Sequence, residues 1–172
     1  MLKRDGLRML TPGEIALAQQ LYFTSIAYNQ VWIHHGSYLP FGMQDDYTAM
    51  TPNGEMWFET PMYFDDFSLS LVRSQHLFLH EMMHVWQHQR GMMVMTRGVF
   101  SWAVDYSYDL RRNTISDYPM EQQAGIVSDY WLLCHHGFKD FEYCIKYKEY
   151  DPNEKKSVLR AKYINILRGF PL

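Results

Sequence analysis

The sequence predicts an α+β domain, mostly helical, with a small antiparallel sheet or hairpin region in its N-terminal half. Three observations carry that prediction. Apolar residues recur at helical spacing in several long segments. Residues 30–67 instead hold short β-branched and aromatic runs cut by Pro40, Gly42, Pro52, Asn53-Gly54 and Pro61. The composition, 47% hydrophobic against 20% charged, is that of a chain with a packed core rather than a disordered one. The 172 residues suit one domain spanning 1–172, with neither internal repeats nor low-complexity segments.

The elements follow in order. Thr11-Pro12-Gly13-Glu14 reads as a helix start, with Thr11 as N-cap, Pro12 at the first helical position and Glu14 closing a capping box. Ile15, Ala18 and Leu21 or Tyr22 then mark one helical face. Residues 30–36, "QVWIHHG", read as a strand ending at Gly36, and Asn53-Gly54 before "EMWFE" signals a hairpin. Helical character returns from about Ser68 to Arg90 and stops at Gly91; it is apolar around so much of its girth that it must be buried. Residues 92–116 fit helix or extended chain equally. A further helix is expected from about Pro119 to His135, capped by Asp117 or Tyr118 and followed by Gly137. A last, basic helix is expected from about Lys155 to Arg168.

The net charge of −3 argues against a nucleic-acid binder. Residues 1–8 carry Lys3, Arg4 and Arg8 against Asp5, and residues 146–172 carry seven Lys/Arg against Glu149, Asp151 and Glu154. The body between them is therefore acidic, and the basic ends read as solvated. Cys134 and Cys144 form no C-x-x-C pair, which removes zinc-ribbon and thioredoxin-like readings. They read as two buried thiols, with a disulfide the alternative in an oxidising compartment. The N-terminal residues contain no apolar signal region, and no run of ~18 apolar residues would span a membrane.

The densest chemistry lies in "HEMMHVWQHQRG", residues 80–91. On a helix, His80 and His84 lie ~40° apart and one turn up, so two imidazoles can meet one ion. Glu81 lies ~100° from His80, beside the ion without having to bind it, which is the placement of a general base. With eight His and eight Glu in the chain, chance supplies roughly 0.02 such matches, so the motif points to a catalytic metal site. His76, His80, His84 and His88 form a row with ends ~18 Å apart, too long for one ion. His88 also fails the longer H-E-x-x-H-x-x-G-x-x-H pattern, because Gln87 and Arg90 stand where Gly and His are needed. His76 and His88 therefore read as bystanders.

A hydrolytic zinc site keeps three protein ligands and one open position. Candidates for the third ligand are Asp105, Asp109, Asp117, Glu121, Asp129, His135, His136, Glu142 and one of His34 and His35. Glu121 stands out, in the first turns of a helix after Pro119, with Ala124 and Gly125 on the same side to permit a close approach.

Four stretches carry a resemblance: "LTPGEIALAQQLY", "VWIHHGSYLPFGMQDDYTAMTPNGEMWF", "FLHEMMHVWQHQRG" and "DYPMEQQAGIVSDYW". They run from Leu10 to Trp131, about 70% of the chain, and leave residues 146–172 outside. The sequence resembles the zinc-metallopeptidase effectors of bacterial type VI secretion, the Vgr-related family, one group of which is fused to valine-glycine-repeat spike proteins. H-E-x-x-H-V-W-Q followed by E-Q-Q-A is much more specific than the bare zinc motif. The resemblance implies a zincin-like metallopeptidase domain, Zn2+ held by His80, His84 and Glu121, and Glu81 as catalytic base. It further implies an antibacterial protein made in the bacterial cytoplasm without a signal peptide and secreted to act in the target-cell periplasm. Its implied partners are a peptide or peptidoglycan-type substrate, a secretion spike or tube component and a cognate immunity protein. One departure matters: a thermolysin-like pattern places a supporting Asp four residues after the glutamate ligand, and this chain has Gly125.

Zinc chemistry on an amide also needs a donor for the developing oxyanion. Tyr106, Tyr108, Tyr118 or a histidine are the candidates. Two alternatives compete with this reading. One is a spike-associated cargo or binding protein with a vestigial metal site. The other is a cytosolic housekeeping metalloprotease, against which the missing zinc ribbon and the acidic body weigh.

Overall fold

The computed structural model describes residues 3–40, 43–92 and 105–171. Among them are β1 (Leu7–Met9), α1 (Pro12–Tyr22), β2 (Trp32–His35), β3 (Ala49–Met50), β4 (Met56–Phe58), α2 (Val72–Gln89), α3 (Met120–His135) and α4 (Lys156–Ile166). The class is mixed α+β, four helices with one four-stranded sheet. No helix among the described residues is long and apolar enough to cross a membrane.

The capping box at α1 forms as the sequence requires. Thr11 Oγ1 accepts from Glu14 N at 3.1 Å, and Glu14 Oε2 accepts from Thr11 N at 2.8 Å. Glu14 is nevertheless fully buried, which a cap alone would not support. Its carboxylate is paired with both guanidinium nitrogens of Arg8 at 2.8 Å and accepts from Phe67 N at 2.9 Å. A bidentate, fully bonded carboxylate tolerates burial, and this one ties β1, α1 and the approach to α2 together.

The sheet order is β1-β2-β4-β3. The outer pairs are antiparallel, but β2 and β4 run parallel, with Ile33 opposite Met56 and His35 opposite Phe58. The expected antiparallel sheet is thus corrected to a mixed one. Alternation of inward and outward side chains has period two in either direction, so the sequence pattern does not distinguish them. The hairpin signal itself holds: β3 and β4 are joined through a turn in which Asn53 and Gly54 have φ of 52° and 78°. Gly54 is required twice over, since a Cβ there would also stand 2.5 Å from Cδ2 of His88.

Ile33, Met56 and Phe58 face a continuous core with Leu79, Met82, Met83, Ile126, Val127 and Leu132 from the central helices. α2 begins at Val72, four residues later than expected, because Asp66 caps a separate 3-10 turn over Phe67–Leu69. α3 begins one residue after Pro119; Asp117, expected to cap it, instead closes a capping box with Thr114 on the preceding short turn. Side-chain contacts from Gln87 to Gln123 at one end and His76 to Asp129 at the other show that α2 and α3 run antiparallel. α4, shorter than expected, buries Leu159, Tyr163 and Ile166. Of the ambiguous stretch 92–116, residues 93–104 lie outside the described residues. Residues 105–114 are irregular, joined to residues 146–148 by backbone bonds on either side of Tyr108. Both cysteines are free and half-buried.

Candidate metal centre

The seam between α2 and α3 builds the site. His80 and His84 project from consecutive turns of α2, and Glu121 projects from the first turn of α3. Glu121 Oε2 lies 3.1 Å from His84 Nε2 and 3.4 Å from His80 Nε2. The three potential ligand atoms all lie within 4.8 Å of one another, and no other trio of His, Cys, Asp or Glu converges this way among the described residues.

These separations fit a metal. Zinc takes imidazole nitrogen and carboxylate oxygen at ~2.0–2.2 Å, so neighbouring donors of a tetrahedral site stand about 3.3 Å apart. The donor set, two nitrogens and one oxygen, leaves a fourth position for water or substrate. Electrostatics agree. Burial alone would depress His84, but hydrogen bonding and charge from Glu121 overcome it and raise His84 to about 9. In turn the two histidines pull Glu121 well below the usual carboxylate range despite its own burial. In the metal-free chain a proton thus holds the place between imidazole and carboxylate that a divalent cation would take.

Glu81 is buried on the side of α2 that faces the β3–β4 turn. Thr51, the first residue after β3, donates its hydroxyl to Glu81 Oε2 at 2.5 Å. That bond fixes the orientation of the Glu81 carboxylate. Thr51 gave no sequence signal, because its role exists only once the hairpin folds back onto α2.

The remaining candidates are elsewhere. Asp129 is not a ligand: it is fully buried and engages His76 Nε2 at 2.8 Å through Oδ1. Its Oδ2 accepts from the Tyr108 hydroxyl at 2.6 Å and from Lys146 N at 2.9 Å. His76, expected to be a bystander, is therefore half of a buried hydrogen-bonded pair that fixes the seam one turn before His80. His88 is the bystander expected, packed over Gly54 at the far end of the row. His34 is stacked on Trp57 and paired with Glu55 at 2.7 Å, and His35 is stacked on Tyr63. Asp105 pairs with Lys148, Asp109 accepts from Arg111 N, and Asp117 caps Thr114. His135, His136 and Glu142 are exposed, at or beyond the far end of α3.

Among the tyrosines the structure separates the three candidates. Tyr108 is committed to Asp129 and Tyr163, and the Tyr118 hydroxyl accepts from Arg112 N. Tyr106 is half-buried, and burial together with the charges of Glu121 and Glu81 pushes its phenol up to about 12. It is therefore a neutral donor within electrostatic reach of both carboxylates. Gln122, next to Glu121, holds its chain in place by donating to Asp105 O at 3.2 Å and Ser107 O at 2.9 Å. Gly125, where a supporting Asp was missing, instead makes room for this segment: a Cβ there would touch the Tyr108 ring at 3.4 Å.

Comparison with known proteins adds to this geometry. The sequence is 40% identical over 133 residues to the type VI secretion system spike protein VgrG2b of Pseudomonas aeruginosa. That match covers 73% of this chain but 13% of the spike protein's length. The structure is similar to the effector domain of Pseudomonas aeruginosa VgrG2b, at 36% identity and a TM-score of 0.68, covering 81% of this chain and 84% of that domain. No family model matches the chain.

Proposed function

The chain belongs to the family of the VgrG2b effector domain, and from that premise we propose that it is a zincin-like, zinc-dependent metallopeptidase serving as an antibacterial type VI secretion effector. The observation that supports the chemistry is the convergence of His80, His84 and Glu121 beside the buried Glu81. The effector role rests on the likeness to the VgrG2b domain. Association with a secretion spike is proposed on the same ground, since the chain corresponds to only a small part of the spike protein.

A zinc ion held by the three side chains would polarise a scissile carbonyl and make water a nucleophile at neutral pH. Glu81 accepts the proton of the attacking water and returns it to the departing amine. Thr51 holds the Glu81 carboxylate in one orientation. Tyr106 stays protonated at physiological pH and donates to the oxyanion as the carbonyl becomes tetrahedral. The substrate is an amide of the target-cell envelope, either a peptide cross-bridge or a protein, and an immunity protein protects the producing cell.

Directing the chain to either side of the inner membrane of a Gram-negative host tests this function. Growth should stop only when the chain is exported to the periplasm, with altered muropeptides for a cross-bridge substrate or truncated envelope proteins for a protein substrate. Equal toxicity from the cytoplasm, or none from the periplasm, contradicts the proposal.

A further inference from the structure

His84 has a second nitrogen, and its partner determines how the ring meets a metal. Nδ1 lies 2.8 Å from Gln87 Oε1. An amide partner leaves the bond ambiguous, because a rotated Gln would present NH2 instead of oxygen. Here two backbone carbonyls remove the ambiguity. Tyr118 O stands 2.7 Å from Gln123 Nε2, and Met120 O stands 3.1 Å from Gln87 Nε2. A carbonyl only accepts, so both neighbouring amide atoms must be NH2 groups. The two side chains also meet each other, Gln87 Nε2 donating to Gln123 Oε1 at 3.0 Å, and only this pair of orientations satisfies all three bonds. Gln87 Oε1 is then left facing His84, Nδ1 must carry a hydrogen, and Nε2 is the nitrogen whose lone pair is available to an ion.

We infer that Gln87 is a two-sided positioning residue of the metal centre. Its oxygen fixes the tautomer and plane of His84, while its amide nitrogen holds Met120 O, the carbonyl immediately before Glu121. One buried side chain thereby registers a ligand of α2 against the ligand-bearing first turn of α3. This requirement is stricter than the usual one for a partner of a ligating histidine, where any acceptor, most often a carboxylate or carbonyl, suffices. A carboxylate here would accept from Nδ1 but would turn an acceptor toward both Met120 O and Gln123 Oε1. The inference rests on the metal reading above: once an ion takes Nε2, the hydrogen that Gln87 Oε1 accepts is the one on Nδ1.

Two variants and two readouts test it. In the zinc-loaded parent, nitrogen NMR of the imidazole should show His84 bound through Nε2 with a hydrogen on Nδ1 that exchanges slowly with water, and in Gln87→Leu that hydrogen should exchange clearly faster. Zinc affinity, measured by competition with a chelator on protein whose circular dichroism matches the parent, should fall about 10–100-fold in Gln87→Leu. Gln87→Glu should also lose affinity at neutral pH, despite keeping an acceptor for His84. The inference is overturned by a zinc-loaded parent whose His84 binds through Nδ1, by a Gln87→Leu variant that keeps both the protected Nδ1 hydrogen and the affinity, or by a Gln87→Glu variant that binds zinc as tightly as the parent. A parent that binds no zinc would contradict the proposed function and this inference with it, whereas a zinc-binding parent that neither variant weakens would contradict the inference alone.

Discussion

Replacing Glu81 with alanine is expected to leave zinc bound and to lower amide hydrolysis by about 10²–10⁴-fold, the range for loss of a positioned general base. Glu81 is not among the three converging ligand atoms, so the ion keeps its full protein ligand set in the variant. What disappears is the group proposed to take the proton from water and deliver it to the amine. The Thr51 hydroxyl loses its acceptor at the same time, but it lies at the end of β3, and its loss of a partner leaves the α2–α3 seam intact. Periplasmic expression of parent and variant side by side, with muropeptide and envelope-protein profiles compared, measures the effect. Unchanged growth inhibition by the variant would sink the enzymatic reading and favour a chain that acts by binding.

The largest loss of stability is expected at Asp129. Its carboxylate is fully buried and joins α2 through His76, the segment before α3 through Tyr108, and the chain before α4 through Lys146 N. Tyr108 extends the network to Tyr163 of α4 at 2.6 Å. Asp129→Ala removes one group and strands three donors, two of them on the buried side chains of His76 and Tyr108. Breaking a buried, bonded pair from one side costs about 3–5 kcal/mol, against a total of about 5–15 kcal/mol for a domain of this kind. Asp129→Asn keeps the shape but must turn an NH2 group toward one of those donors, and a smaller loss is expected. Urea unfolding of the three proteins checks the order. A loss of less than 1 kcal/mol in Asp129→Ala would show that the network does not carry the helix seam as argued.

Local chemistry was legible in the sequence. The capping box of Thr11 and Glu14, the hairpin at Asn53-Gly54 and the placement of His80, Glu81 and His84 on one helix all follow from spacing within a few residues. Glu121 was singled out because small Ala124 and Gly125 follow it, and the structure brings it to the two histidines. The unreadable features depend on which surfaces meet. The parallel pairing of β2 and β4 leaves no trace in alternation. Asp129 was a second candidate carboxylate on the same helix; only the antiparallel seam assigns it to His76, two turns further along. Gln87 and Thr51 are neutral residues whose roles are set by carbonyls and carboxylates distant in sequence. His76 carried one usable signal, a histidine on a buried helix that must find a hydrogen-bond partner.

The central claim is that one zinc ion is held by His80, His84 and Glu121, and metal content tests it most directly. The purified parent, Glu81→Ala, His84→Ala and Glu121→Ala are stripped, reloaded with zinc, passed through a desalting column and assayed by mass spectrometry for zinc per chain. One zinc per chain is predicted for the parent and for Glu81→Ala, with little retained by His84→Ala or Glu121→Ala. A parent without zinc, or full retention of zinc by the Glu121→Ala variant, would contradict the assignment.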